Sequence, residues 1–195
     1  MGLYTHAFTR SNLRIPLHPL FLELLQYYQV HISRFNPFGL AKLTTYIIMC
    51  KAYGYEPTLN VLRGFLNLCP GGDWLTLSKK NDENVPVLIT KPFTNITNWK
   101  GKFFYIQDTI VPPGYPALLN EAFRFDRKKF NDQLPLNVQD EPLYQRLARH
   151  PIDVQTFPEP VLFMAGLMDY WEGSPLLPQI HCDGQSMYMQ FIINK

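Results

Sequence analysis

"PTLNVLRGFLNLCPGGDWLTLSKK", residues 57–80, holds the point at which the hydrophobic period of this chain changes. Thr58 is a ready N-cap. Leu59, Leu62, Phe65 and Leu66 recur at three and four, which predicts a helix running to the Pro70-Gly71-Gly72 stop. Beyond the stop, "DWLTLSKK" alternates, with Leu75 and Leu77 on one face, and reads as a strand. The expected class is α+β: mainly helical, with a small antiparallel β-sheet near residues 73–107.

Upstream, the same helical grammar occurs twice. "IPLHPLFLELLQYY" enters through Pro19 and carries an apolar stripe of Leu17, Leu20, Phe21, Leu24, Leu25 and Tyr28. In "FNPFGLAKLTTYIIMCKAYG", Asn36 can cap, Pro37 opens the helix and Gly54 can end it in a left-handed turn. Its apolar residues run nearly all round, so this helix is expected at the centre of the fold. Downstream, "VPVLIT" (85–90) is the expected antiparallel partner of "DWLTLSKK", and "KFFYIQ" (102–107) the third strand. In that strand Trp99 and Phe104 should be largely buried, with Lys100 and Lys102 outward. A long loop over 111–139, with a short helix near Pro116–Phe123, leads to helices in "EPLYQRLARH" (141–150) and "PEPVLFMAGLMDYW" (158–171). Residues 1–171 read as a single domain, and 172–195 as an irregular extension that resembles an element cut short.

With 195 residues, 46% hydrophobic and 17% charged, the chain can bury a real core and should be globular. Its net charge of +2 excludes a strongly basic, histone-like protein. Cys50, Cys69 and Cys182 lie far apart with no C-x-x-C, which predicts reduced thiols rather than a zinc site or disulfide framework. No secretory h-region and no membrane-length apolar run is present, so an intracellular location, nuclear or cytoplasmic and not secreted, is expected.

Catalytic templates each fail at a nameable residue. "DGQSMY" has Tyr188 where a nucleophile elbow needs glycine, and "PGGDW" lacks the Lys-Ser/Thr of a phosphate loop. His181, Cys182 and Asp183 are consecutive, a spacing that rarely converges on one ion. Asp73, Asp108 and Asp126 do not by spacing form a two-metal site. The expectation is no catalytic residue, no metal and no cofactor. Between Lys79 and Lys129, nine basic residues face five acidic ones, a local +4. Lys79, Lys80, Lys100, Lys102, Arg124, Arg127, Lys128 and Lys129, interleaved with Trp99, Phe103 and Tyr105, are the candidate nucleic-acid contacts. Aromatic residues in strands more often belong to a core, so a buried strand is the favoured reading and a stacking platform the second.

Read together, Ile15-Pro16-Leu17-His18-Pro19, Asn36-Pro37, Cys50, Pro57-Thr58, Phe65, Gly72-Asp73-Trp74 and Trp99-Lys100-Gly101-Lys102-Phe103-Phe104 resemble the plant gypsy-type transposase family. "FPEPVLFMAGLMDYWEGSP" extends the likeness, which runs from Tyr4 to Pro175. The plant mobile domain, also transposon-linked, is the neighbouring alternative. The resemblance implies association with long-terminal-repeat retrotransposons, without established catalytic residues. Accordingly, no reverse-transcriptase Y-x-D-D, protease D-[ST]-G, zinc knuckle or integrase finger is found. The expected function is a non-catalytic protein-interaction or assembly module. The alternative is a weak, sequence-independent nucleic-acid-binding domain using residues 79–129, and an active DNA-cutting transposase rests on the family name alone.

Overall fold

Helix α3 (Pro37–Ala52) organises the molecule, because almost every one of its side chains is buried, from Leu40 to Ala52. The structure is a computed structural model that describes residues 2–90, 98–105, 136–154 and 156–168. The Asn36 side chain caps α3 by accepting the Gly39 N–H at 2.8 Å, Pro37 sits in the first turn, and Gly54 follows at φ +77°. Burial on all sides accounts for its continuous apolar composition. Two polar groups are absorbed locally: Thr44 Oγ1 donates to Ser11 O at 2.8 Å, and Ser11 Oγ donates to Pro37 O at 2.6 Å.

Ahead of it, a short strand β1 (Gly2–Tyr4) and helix α1 (Thr5–Thr9) lead to α2 (Pro19–Tyr28). All six residues of the predicted α2 stripe are buried. Its cap is His18, whose Nδ1 accepts the Leu20 N–H at 3.1 Å. Burial, reinforced by the positive charge of Lys51, holds the His18 imidazole well below its ordinary range, at about 4, so the ring is a neutral acceptor.

The stretch at 57–80 departs from the expected elements. Helix α4 (Leu59–Phe65), capped by Thr58 on the Val61 N–H, ends before the Pro-Gly-Gly stop. Leu66–Gly71 is instead strand β2, paired antiparallel with β3 (Trp74–Lys79) from Leu66↔Lys79 to Gly71↔Trp74. The partner of β3 is therefore β2, not residues 85–90, where Ile89 makes only a single bridge to Ile152. The physical reason is local. Leu66 and Leu68 are buried while Asn67 and Cys69 are not, and Gly72, at φ +69°, closes a two-residue turn with Asp73.

The second correction concerns "KFFYIQ". Its described part forms β4 (Phe103–Tyr105), paired antiparallel with β1 at Leu3↔Phe104 rather than with β3. The fold is thus α+β with two separate two-stranded antiparallel sheets among the described residues, not one sheet over 73–107. Helices α5 (Glu141–Arg149) and α6 (Glu159–Met164) return the chain to the core, where Leu143, Leu147, Val161 and Leu162 are buried. Helix α6 is shorter than expected, with Gly166 at φ +69° just beyond it. The loop and short helix expected over 111–139, up to residue 135, and the extension 172–195 lie outside the described residues.

Two long-range locks fasten the later helices to the earlier ones. The buried Asp140 carboxylate, at the start of α5, accepts from Thr58 Oγ1 at 3.0 Å and from Asn60 Nδ2 at 2.8 Å. The Tyr144 ring stacks on Phe65 at 4.3 Å, over Gly64. The outer edge of β3 is closed by α3. Asn36 N–H donates to Leu75 O at 2.9 Å, and Lys42 Nζ to Leu77 O at 2.5 Å. A Cβ on Gly39 would lie 3.1 Å from the Thr76 Cα, so glycine permits this approach. An edge whose carbonyls are occupied cannot recruit another strand.

Candidate functional site

The β1–β4 ribbon carries the most exposed large aromatic side chains of the described structure. Cross-strand partners share a face, so Tyr4 and Phe103 lie together, followed by Gly2 and Tyr105, while Leu3 and Phe104 occupy the other face. Phe103 is 51% exposed and Tyr105 79% exposed. Their rings meet edge to face at 5.6 Å, with no side chain at Gly2 to cover Tyr105. On the opposite face Leu3 is buried, and Phe104 leans on Phe8 at 5.5 Å but stays 38% exposed. Phe104 is therefore not the buried strand residue that alternation predicts. Among the described residues the ribbon has two three-residue strands, and the cover recorded for this ring is Leu3 across the pair and Phe8 beside it, too little to enclose a phenyl ring.

Next to the ribbon, Tyr4, Trp74 and Trp99 form a corner. Tyr4 and Trp99 meet at 4.5 Å, Trp74 and Trp99 at 5.2 Å, both edge to face. Trp74 Nε1–H donates to Tyr4 Oη at 2.8 Å, so its polar handle is satisfied within the cluster. The Lys100 ammonium sits 4.3 Å from the Trp74 ring centroid and 5.9 Å from that of Trp99. Such cation–π placement fixes a flexible side chain without neutralising it. Thr5 N–H and Thr5 Oγ1 both donate to Lys102 O, which pins the start of β4 to α1. Trp99 is partly buried within this cluster, and Lys100 and Lys102 are exposed as expected.

The sequence reading placed eight basic residues on one surface. Arg124, Arg127, Lys128 and Lys129 lie outside the described residues. The other four fall into two groups. Lys100 and Lys102 flank the aromatic corner, whereas Lys79 ends β3, five residues from Trp74 and so ~17 Å along the strand. Lys80 is half-buried; burial, aided by the Arg63 charge, lowers its pKa. Tyr4 and Trp74 were missed as site residues, although the Gly72-Asp73 hairpin turn that presents Trp74 is visible in the sequence.

Elsewhere the described structure offers little chemistry. A cavity of about 190 Å³ is lined by Leu66, Val87, Leu88, Ile89 and the stems of Lys42 and Lys79. A shallower depression of about 500 Å³ lies along Pro19, Leu22, Glu23, Gln26 and Tyr27 on α2. Among the described residues, no three His, Cys, Asp or Glu side chains converge to hold a metal ion. Burial pushes the Cys50 thiol up to about 12, which leaves it a core residue and not a nucleophile. No helix among the described residues is long and apolar enough to cross a membrane.

Residues 3–70 match the family model described as "Putative gypsy type transposon". The gypsy-type likeness read from the sequence is thereby found, over a shorter span than the expected Tyr4 to Pro175. The matched region takes in β1, α1–α4 and most of β2, and supplies Tyr4 to the aromatic corner. Trp74, Trp99 and β4 lie beyond it. No curated protein and no solved structure shows a significant match to the chain.

Proposed function

We propose that this gypsy-transposon-related chain is a non-catalytic binding module that docks a polypeptide partner on the aromatic face of the β1–β4 ribbon. The observation that supports this reading is the exposure of Phe103 and Tyr105 beside the Trp74–Trp99 corner. Interface cores favour Tyr, Trp and Phe and are depleted of charge, and a few such rings carry most of the binding energy.

A stacking platform for single-stranded nucleic acid draws on the same rings, and their exposure favours it more than the sequence did. The charge of the described surface favours the first reading. Among the described residues, Lys100 and Lys102 are the basic side chains beside the rings, and neutralising two phosphates gives a salt slope of about −1.4 on a single strand. Two lysines alone would give weak phosphate binding, which supports a polypeptide as the principal ligand of this face.

Selection of binding peptides from a random displayed library tests the reading, with oligothymidylate measured in parallel. The expected result is peptides whose binding is lost in Phe103→Ala/Tyr105→Ala, whose circular dichroism is unchanged, with only weak, salt-sensitive oligothymidylate binding. Tight oligothymidylate binding that survives moderate salt would overturn it. Supercoiled plasmid incubated with Mg²⁺ or Mn²⁺ should stay intact, and nicking that disappears on Asp73→Ala would refute the non-catalytic part.

A further inference from the structure

We infer that the segment held on this face is acidic: an extended peptide whose aromatic or proline residues contact Phe103 and Tyr105 while its carboxylates meet Lys100 and Lys102. The inference rests on the reading of the ribbon as a docking surface, and adds the chemistry of what docks there.

Its first support is uncompensated charge. Neither Lys100 nor Lys102 makes an ion pair with an acid among the described residues. Asp73, beside Trp74 at the hairpin tip, makes no ion pair with either lysine. Both lysines are exposed and lie at the N-terminal end of β4. The surface thus has a direction, with positive charge at one end and bare rings at the other.

The second support is preorganisation. The Lys100 ammonium is held against Trp74 by the ring, with no acid paired to it among the described residues. A carboxylate approaching from solvent meets a charge already in place and breaks no ion pair among the described residues. An extended peptide also suits the backbone. Strand β4 pairs with β1 along one edge, and no described strand pairs along its other edge. Added strands take their affinity from main-chain bonds and their specificity from alternate side chains. Electrostatic complementarity at such a rim sets partner choice more than affinity.

The test uses the full chain and two labelled dodecapeptides, read by fluorescence anisotropy at low salt. One peptide alternates Asp and Glu with Tyr and Pro; the other carries Lys at every acidic position. The wild-type chain should prefer the acidic peptide by roughly three- to thirtyfold, the range two exposed charge pairs supply. Lys100→Glu/Lys102→Glu should invert that preference, and Phe103→Ala/Tyr105→Ala should weaken both peptides. A preference unchanged by charge reversal overturns the acidic assignment while leaving the docking surface standing. Binding of both peptides that ignores the aromatic variant overturns the docking surface itself. Failure of both peptides to bind, or displacement of the acidic peptide by oligothymidylate at equal concentration, also overturns the acidic assignment.

Discussion

Replacing Gly39 by Ala sets two effects of opposite sign against each other. Alanine is the better helix former, by about 1 kcal/mol in a helix interior and by less near the capped first turn, where Gly39 lies. Against that, the new methyl carbon would sit 3.1 Å from Thr76 Cα and 3.3 Å from Leu77 N. Both neighbours are backbone, and β3 is held in place on either side. It pairs with β2 on one edge, and on the other it is tied to α3 by Asn36 N–H and Lys42 Nζ. The strand cannot retreat by a few tenths of an ångström without stretching those bonds, so overpacking, at about 1–3 kcal/mol, outweighs the helical gain. The expected net loss is about 1–2 kcal/mol. Urea unfolding followed by circular dichroism measures it. Gly39→Ala as stable as the wild type, or more so, would mean that β3 yields freely and that α3 does not clamp its edge.

Other perturbations have equally definite outcomes. Folding stability should fall as pH drops from about 6.5 towards 4: the unfolded His18 takes up a proton in that window while the buried N-cap ring does not. The unfolded state binds more protons there, so the His18 contribution is complete above the upper limit. His18→Asn, which can still cap α2, should flatten this part of the pH–stability curve. Asp140→Ala should cost about 2–3 kcal/mol in thermal melts, because the Thr58 hydroxyl and the Asn60 amide lose their shared acceptor. Phe65→Ala, in the core, should cost about 3–5 kcal/mol, and Phe104→Ala distinctly less, since that ring is already partly in water. Equal losses for the two phenylalanines would contradict the observed exposure.

Much of the helical framework was legible because short-range signals and tertiary packing agree. Asn36-Pro37 and Thr58 cap the helices they were expected to cap, and the Leu17–Tyr28 stripe is buried. The sheets were read less well, since their pairing is settled by partners distant in sequence. Nothing near Phe103 announces that Gly2–Tyr4, a hundred residues earlier, lies beside it. The β2 strand was hidden by an ambiguity of period. Leu59, Leu62, Phe65 and Leu66 fit a helix, but Leu66 and Leu68 also begin an alternation that the Gly72-Asp73 turn completes. At the candidate site the lysines flanking Trp99 were read as outward. The aromatic exposure was not, because burial depends on whether a second layer covers the ribbon.

Asp140 and Tyr144 bear on how this protein can be divided. The gypsy-type match stops at residue 70, inside β2, but Thr58, Asn60 and Phe65 within it are completed by side chains from α5. A fragment cut to the matched boundaries would lose the strand opposite Leu68, the acceptor at the head of α4 and the ring over Phe65. The span that matches the family is here shorter than the span that these contacts tie together. An excised 3–70 polypeptide should accordingly be sticky and poorly structured, and expression trials should take boundaries that keep α5 attached.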